Sequence, residues 1–274
     1  MLVLAIVAGS CVGSFLNVVI DRLPTMLDRR WRDDALYALH IAPAHPRPTF
    51  NLALPGSHCG ACGSPIKPRD NIPVFSWIML RGRCRHCTAR ISARLPAIEV
   101  AGAALLLAVL AVWGYTVSAL AFYVLLMALL AAATIDAKTQ LIPDEITLPL
   151  VWLGLLAAAF LDTTPTPVDA IVGAVAGYAA LWLIYQVHKR VMRREGMGYG
   201  DFKLLAGLGA WLGWQALPTI ALIAGLLGIG YAAIGLVRGS SNRLTPLPFG
   251  PFLALGGVIA LFFASRLPLL LTLG

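Results

Sequence analysis

Long apolar segments are the feature that most limits how this chain can fold. Of its 274 residues, 59% are hydrophobic and only 12% are charged, and the mean hydropathy is +0.80. A helix needs about 20 mostly apolar residues to cross a bilayer, and hydrophobic runs begin near residues 1, 98, 116, 146, 168, 202, 218 and 250. The sequence therefore predicts an all-α polytopic membrane protein with about eight transmembrane helices.

The first apolar run could be a secretory signal, but it has no basic segment at its start and contains polar residues within it. We interpret it as a retained span. The chain then has three predicted parts: a first transmembrane helix at 1–20, a loop domain at 21–97, and a seven-helix membrane domain at 98–274.

The basic residues are concentrated in a few connections between the predicted helices. Residues 21–97 contain 12 Lys or Arg against five Asp or Glu, and two later connections read HKRVMRR (188–194) and RGSSNR (238–243). With eight helices, all three lie on one side, which the positive-inside rule makes cytoplasmic. Membrane topology thus accounts for the formal charge of +8, and we expect the lipid bilayer, not nucleic acid, as a partner.

Four cysteines form two CxxC pairs in the predicted loop domain, with 21 residues between Cys62 of the first pair and Cys84 of the second. This spacing is typical of four-cysteine zinc sites, in which each pair supplies two thiolates. A reducing cytoplasm favours metal binding over disulfides. Because four thiolates leave no open coordination position, we expect a structural zinc ion that folds this loop. The predicted ligands are Cys59, Cys62, Cys84 and Cys87.

Two aspartates border the apolar segments. Asp136 lies near the end of the third predicted helix and Asp201 at the start of the sixth, so both reach the cytoplasmic face in an eight-helix topology. Charged groups at this depth cost at least a few kcal/mol and are kept mainly where they face a cavity. Two close carboxyl groups that share a proton can activate water and polarise a carbonyl, as an aspartic peptidase requires.

Several residues near the two aspartates are candidates for supporting roles. Gly198 and Gly200 precede the second aspartate and permit close backbone approach, as a bound substrate strand would need. Asp144 is expected to cap or orient a helix start, and Glu195 to line the entrance. Lys203 is expected to anchor its helix at the interface or to pair with an acid.

Taken together, the ordered motifs of the chain resemble the bacterial type IV prepilin peptidase and N-methyltransferase family, whose members are GxGD intramembrane aspartyl proteases. The resemblance covers nearly the whole chain. It is carried by GSFLNVVIDRLP (13–24), the two CxxC pairs, IPVFSWIMLRGRCRHC (72–87), ISARLPAIE (91–99), IDAKTQLIPDEIT (135–147), GMGYGDFKLLAGLGAWLGW (196–214) and PLPFGPFLALGG (246–257).

This resemblance implies a bifunctional enzyme of the bacterial inner membrane. Its aspartic endopeptidase would cleave the leader of type IV prepilins or type II secretion pseudopilins at the cytoplasmic face, ahead of a hydrophobic N-terminal helix. Its N-methyltransferase would then modify the new N-terminus using S-adenosylmethionine. A glycine loop that follows a strand would identify a methyl-donor site, but none is recognisable in the sequence. The sequence also leaves open whether the substrate is a pilin or a pseudopilin.

The resemblance also implies roles for individual residues. Asp136 and Asp201 would be the catalytic pair, and the four loop cysteines would bind zinc. We further expect the basic leader to be attracted by three acids on the same face: Asp144, Glu145 and Glu195.

Two other classes of protein remain as alternatives. A proton-coupled transporter also uses membrane carboxylates, but it predicts acids near mid-membrane and paired structural halves, whereas here the acids lie at one face and no halves are obvious. A non-enzymatic secretion assembly factor could use the zinc loop to hold a partner, but it would leave the two aspartates unexplained.

Overall fold

The computed structural model describes residues 1–41, 48–161, 165–193, 197–238 and 247–271, with side chains up to residue 263. Within this part of the chain the secondary structure is helical, with eight long α-helices and one short one, and two isolated β-bridges. The helices are α1 (Leu2–Ala38), α2 (Phe75–Met79), α3 (Arg94–Trp113), α4 (Val117–Thr139), α5 (Asp144–Phe160), α6 (Pro167–Met192), α7 (Tyr199–Leu212), α8 (Leu217–Val237) and α9 (Gly250–Leu271).

The long helices begin close to the eight predicted hydrophobic runs, which confirms the all-α fold class. Five helical segments in the described residues are long and apolar enough to cross a membrane, as expected for a multi-pass protein. These are Leu2–Ala38, Arg94–Trp113, Val117–Thr139, Pro167–Met192 and Trp214–Val237. The chain divides into two compact units, Met1–Ala111 and Val112–Gly274.

In the first unit, α1 continues beyond its apolar part as one helix of 37 residues, a length of about 56 Å. Close backbone contact holds it to α3, because a Cβ at Gly13 would lie 2.7 Å from the carbonyl oxygen of Ile98. The side-chain amide of Asn17 donates to the carbonyl of Leu95 at 3.0 Å. The small residues Gly9 and Gly13 thus allow the backbones of α1 and α3 to approach closely.

The second unit is organised around α7, which at 14 residues and about 21 Å is too short to cross a bilayer. It packs against α5, α6 and α9, and ten of its residues are buried. Gly177 of α6 fits against the carbonyl of Leu205, 2.6 Å from where its Cβ would be. The indole N–H of Trp211 donates to the carbonyl of Leu150 at 2.8 Å. Neighbouring helices thus enclose this short, glycine-rich helix.

Candidate active site and metal centre

Asp136 lies in the last turn of α4 and is 5% exposed. The helix ends immediately afterwards, because Gln140 adopts a left-handed conformation and donates its backbone N–H to the carbonyl of Asp136 at 2.8 Å. The carboxylate of Asp136 accepts the backbone N–H of Gly250, the first residue of α9, at 2.9 Å. Two helices that are distant in sequence therefore fix this side chain.

Asp201 is the third residue of α7 and is 7% exposed. A helix start carries a partial positive charge that favours an anion. The Oδ1 atom of Asp201 is buried and has no hydrogen-bond partner among the described residues. One oxygen of this carboxyl group therefore has its hydrogen-bonding capacity unused by the described residues.

The two aspartates line one cavity of about 560 Å³. The fold thus brings to one cavity two carboxyl groups that lie 65 positions apart in the sequence. The cavity is further lined by residues from the α4–α5 connection, the start of α7 and the segment before α9: Gln140, Leu141, Ile142, Asp144, Met197, Gly198, Tyr199, Gly200, Lys203, Leu247, Pro248 and Phe249. A water molecule and an extended peptide segment could both reach the carboxyl groups from this space.

Four of the five predicted supporting residues line this cavity. A Cβ at Gly200 would lie 2.7 Å from the Cβ of Ile142, so this position requires glycine, whereas a Cβ at Gly198 would meet nothing closer than 3.7 Å. Lys203 donates to both carboxylate oxygens of Asp144, at 2.6 and 2.7 Å.

The three acids expected to attract a leader differ in where they lie. Glu145 is exposed and is absent from the cavity lining, and Glu195 lies outside the described residues. Asp144 lines the cavity, but its charge is partly offset by the ammonium group of Lys203.

Sequence reasoning did not identify Gly250 or Ile142 as parts of the site. The segment that contains Gly250, PLPFGPFLALGG, was used only as one of the motifs that carry the family resemblance. A signal was present there, because a glycine followed by proline at a helix start leaves a backbone N–H free to donate to a neighbouring group. Which group receives it depends on packing that the sequence does not display.

The second candidate site is the group of four cysteines in the first unit. The Sγ atoms of Cys59, Cys62, Cys84 and Cys87 all lie within 4.8 Å of one another. Thiolates at this separation, contributed in two CxxC pairs, can bind a metal ion tetrahedrally.

Each cysteine pair is held by the same backbone pattern. The N–H of Gly63 donates to the carbonyl of Cys59, and the N–H of Thr88 donates to the carbonyl of Cys84. Both donors occupy left-handed conformations, with φ of 69° and 58°. A residue four positions after the first cysteine therefore reverses the chain in each pair, and the two turns present their thiols to a common point.

The environment of Cys62 favours a thiolate. The side chain and backbone N–H of Ser64 donate to it and lower the pKa of the Cys62 thiol to about 6. His58 lies beside the first pair, but its imidazole Nδ1 is 2.9 Å from the carbonyl oxygen of Gly56. The group of possible metal ligands therefore consists of the four sulfur atoms. These residues fit a metal ion bound entirely by thiolates.

Comparison with known proteins assigns two regions of the chain. Residues 123–233 match the type IV leader peptidase family, and residues 7–113 match the bacterial peptidase A24 N-terminal domain. The first match contains both cavity aspartates, and the second contains the four clustered cysteines. No solved structure gives a significant match.

Curated relatives are similar over nearly their full length. A prepilin leader peptidase/N-methyltransferase of Burkholderia pseudomallei strain 1026b is 48% identical over 275 residues, covering 98% of this chain and 88% of the relative. Relatives with the same name from Pseudomonas aeruginosa and Pectobacterium carotovorum are each 46% identical, with 96% and 93% of this chain covered and 90% of either relative.

Proposed function

This chain belongs to the type IV leader peptidase family, and on that premise we propose that it is a bifunctional prepilin leader peptidase and N-methyltransferase. It would cleave the leader from a prepilin or pseudopilin and methylate the new N-terminus. The observation that carries the peptidase assignment is the cavity between the end of α4 and the start of α7, which Asp136 and Asp201 line together.

In the proposed cleavage, the two carboxyl groups act as a base and an acid. One carboxylate removes a proton from water as the water oxygen attacks the scissile carbonyl carbon, and the other carboxyl group protonates the carbonyl oxygen. Collapse of the tetrahedral intermediate breaks the C–N bond, and a proton passes to the leaving amine nitrogen. The N–H of Gly250 holds the Asp136 carboxylate in place for these transfers.

The membrane supplies the positioning of the substrate. A prepilin carries a hydrophobic N-terminal helix directly after its leader, so its apolar helix would lie in the bilayer beside an enzyme embedded at the same depth. Because the bilayer already restricts the position and orientation of both partners, they lose less entropy when they associate. The basic loops make the aspartate side cytoplasmic, which is where a leader in the bacterial inner membrane would be cut.

The four cysteines would bind structural Zn²⁺ and thereby fix the two turns that carry them. S-adenosylmethionine would supply an electrophilic methyl group for the amine that cleavage exposes. The transporter and assembly-factor alternatives are not favoured, because relatives named as peptidases and methyltransferases match nearly the whole chain.

The test is cleavage of a model prepilin by the full chain in lipid nanodiscs, followed by mass analysis of the new N-terminus with S-adenosylmethionine present. We expect the wild type to give a cleaved, singly methylated product, and Asp136→Asn and Asp201→Asn each to abolish cutting. Asp28→Asn is the control, because Asp28 is an exposed acid paired with Arg32 on α1. Cleavage that survives both cavity substitutions would refute the peptidase mechanism.

A further inference from the structure

The first unit contains a second cavity, of about 380 Å³, formed by the two cysteine turns and the residues that follow them. All its lining residues lie between positions 58 and 95, and the proposed peptidase chemistry uses none of them. We propose that this cavity binds the methyl donor, an adenosyl sulfonium amino acid, and this inference rests on the methyltransferase half of the proposed function.

The cavity has the size and wall chemistry of a small-molecule site. Such sites have volumes of about 300–1,000 Å³ and combine apolar walls with a few polar groups. One set of lining residues is apolar and suits a planar purine ring: Pro65, Ile66, Leu80, Ile91 and Leu95. A second set is charged or polar and includes Asp70, Arg85 and Arg90.

The guanidinium group of Arg85 is already oriented within the cavity lining. Its Nε and Nη2 atoms donate to the carboxylate of Asp70 at 2.9 and 2.6 Å, and the Asp70 side chain is 10% exposed. A guanidinium group has five N–H donors in one fixed plane. Because Asp70 holds the Nε and Nη2 edge of Arg85, the remaining N–H donors of Arg85 have a fixed direction. Together with Arg90, it provides the charge to receive the carboxylate of an amino acid.

The cysteines supply the complementary charge for a sulfonium group. Cys59 and Cys84 both line the cavity. Four thiolates around a divalent cation carry a net charge of about −2, which attracts a cation and opposes the polyanionic tail of a nucleotide. The cavity therefore offers an apolar wall, a carboxylate-binding edge and a negative wall, which matches the three parts of S-adenosylmethionine.

Binding of tritiated S-adenosylmethionine to the zinc-loaded full chain in nanodiscs tests the proposal. Arg90→Ala removes one cation, and Ile66→Trp fills the apolar part from an accessible position. Arg69→Ala and Ile78→Trp are the matched controls, because both residues are exposed and neither lines the cavity. We expect both cavity variants to raise Kd about tenfold or more, the controls to stay within about twofold of wild type, and zinc content and leader cleavage to be unchanged.

Ultraviolet crosslinking of the tritiated donor to the wild type provides an independent readout, with label expected in peptides covering 58–66 or 80–95. Unchanged affinity in both cavity variants, label confined to other peptides, or equally effective displacement by ATP would each overturn the assignment. If a cavity variant loses zinc, its affinity is disregarded, and the peptides labelled in the wild-type crosslinking experiment decide whether the cavity binds the donor. A wild type that cleaves but neither binds the donor nor methylates would refute the methyltransferase function itself, whereas a methylating wild type with label elsewhere would refute only this location.

Discussion

The backbone N–H of Gly250 lies 2.9 Å from Oδ2 of Asp136, so the first residue of α9 orients a carboxylate 114 positions earlier in the chain. A side chain at Gly250 would disturb this contact. A Cβ at Gly250 would lie 2.8 Å from that oxygen and 2.9 Å from Cδ1 of Ile142. A side chain at this position would therefore displace the Asp136 carboxylate or the end of the Ile142 side chain.

Gly250→Ala is expected to lower leader cleavage about 100-fold, because a displacement of about 1 Å in a reacting group has consequences of that order. The measurement is kcat/KM for a model prepilin. Gly230→Ala in α8 is the control, since a Cβ there meets no atom within 4 Å. Equal activity of the two variants would show that the Gly250 contact does not position Asp136.

The two glycines before Asp201 should respond differently to the same added methyl group. Gly200→Ala places a Cβ 2.7 Å from that of Ile142, whereas Gly198→Ala meets nothing closer than 3.7 Å. We expect Gly200→Ala to lose cleavage about tenfold or more and to lower the Tm, since overpacking costs about 1–3 kcal/mol. Gly198→Ala should retain the wild-type Tm. The opposite order of Tm values would contradict this placement of the α7 start.

The ion pair between Lys203 and Asp144 should contribute modestly, since the two side chains are 27% and 50% exposed. Exposed pairs contribute about 0.2–1 kcal/mol. Lys203→Met and Asp144→Asn are each expected to lower cleavage about two- to fivefold, with a double-variant loss smaller than the product of the two single losses. Strictly multiplicative losses would show that the two residues act separately.

Metal binding by the cysteine cluster should weaken as pH falls. Hydrogen bonds from Ser64 lower the pKa of the Cys62 thiol from its ordinary value of 9.0 to about 6. The stability that its thiolate contributes is complete above pH 9, partly retained at neutral pH, and lost as the pH falls through 6. Coordination requires deprotonated sulfur. We expect one zinc per chain at pH 7.5 and progressive release below about pH 6, measured by elemental analysis after dialysis.

A matched substitution separates zinc binding from general acid sensitivity. Cys62→Ser should reduce zinc content at pH 7.5, while Cys11→Ser, which alters an exposed cysteine outside the cluster, should not. Full zinc occupancy in Cys62→Ser would exclude Cys62 as a ligand.

Local features of the sequence were enough to predict the all-α membrane class, the positions of the eight long helices, the two CxxC pairs and the two candidate aspartates. These features depend on local composition and short spacing, which the chain displays directly. The family resemblance rests on the same local motifs, and the comparisons confirmed it.

Three features became known from the packing of the helices alone: the enclosure of α7, the pairing of Lys203 with Asp144, and the donation from Gly250 to Asp136. Each of these depends on helices that lie far apart in sequence and meet in space. A backbone N–H at a helix start needs an acceptor wherever packing places one. Its identity follows from the three-dimensional arrangement of helices and not from the residues beside it.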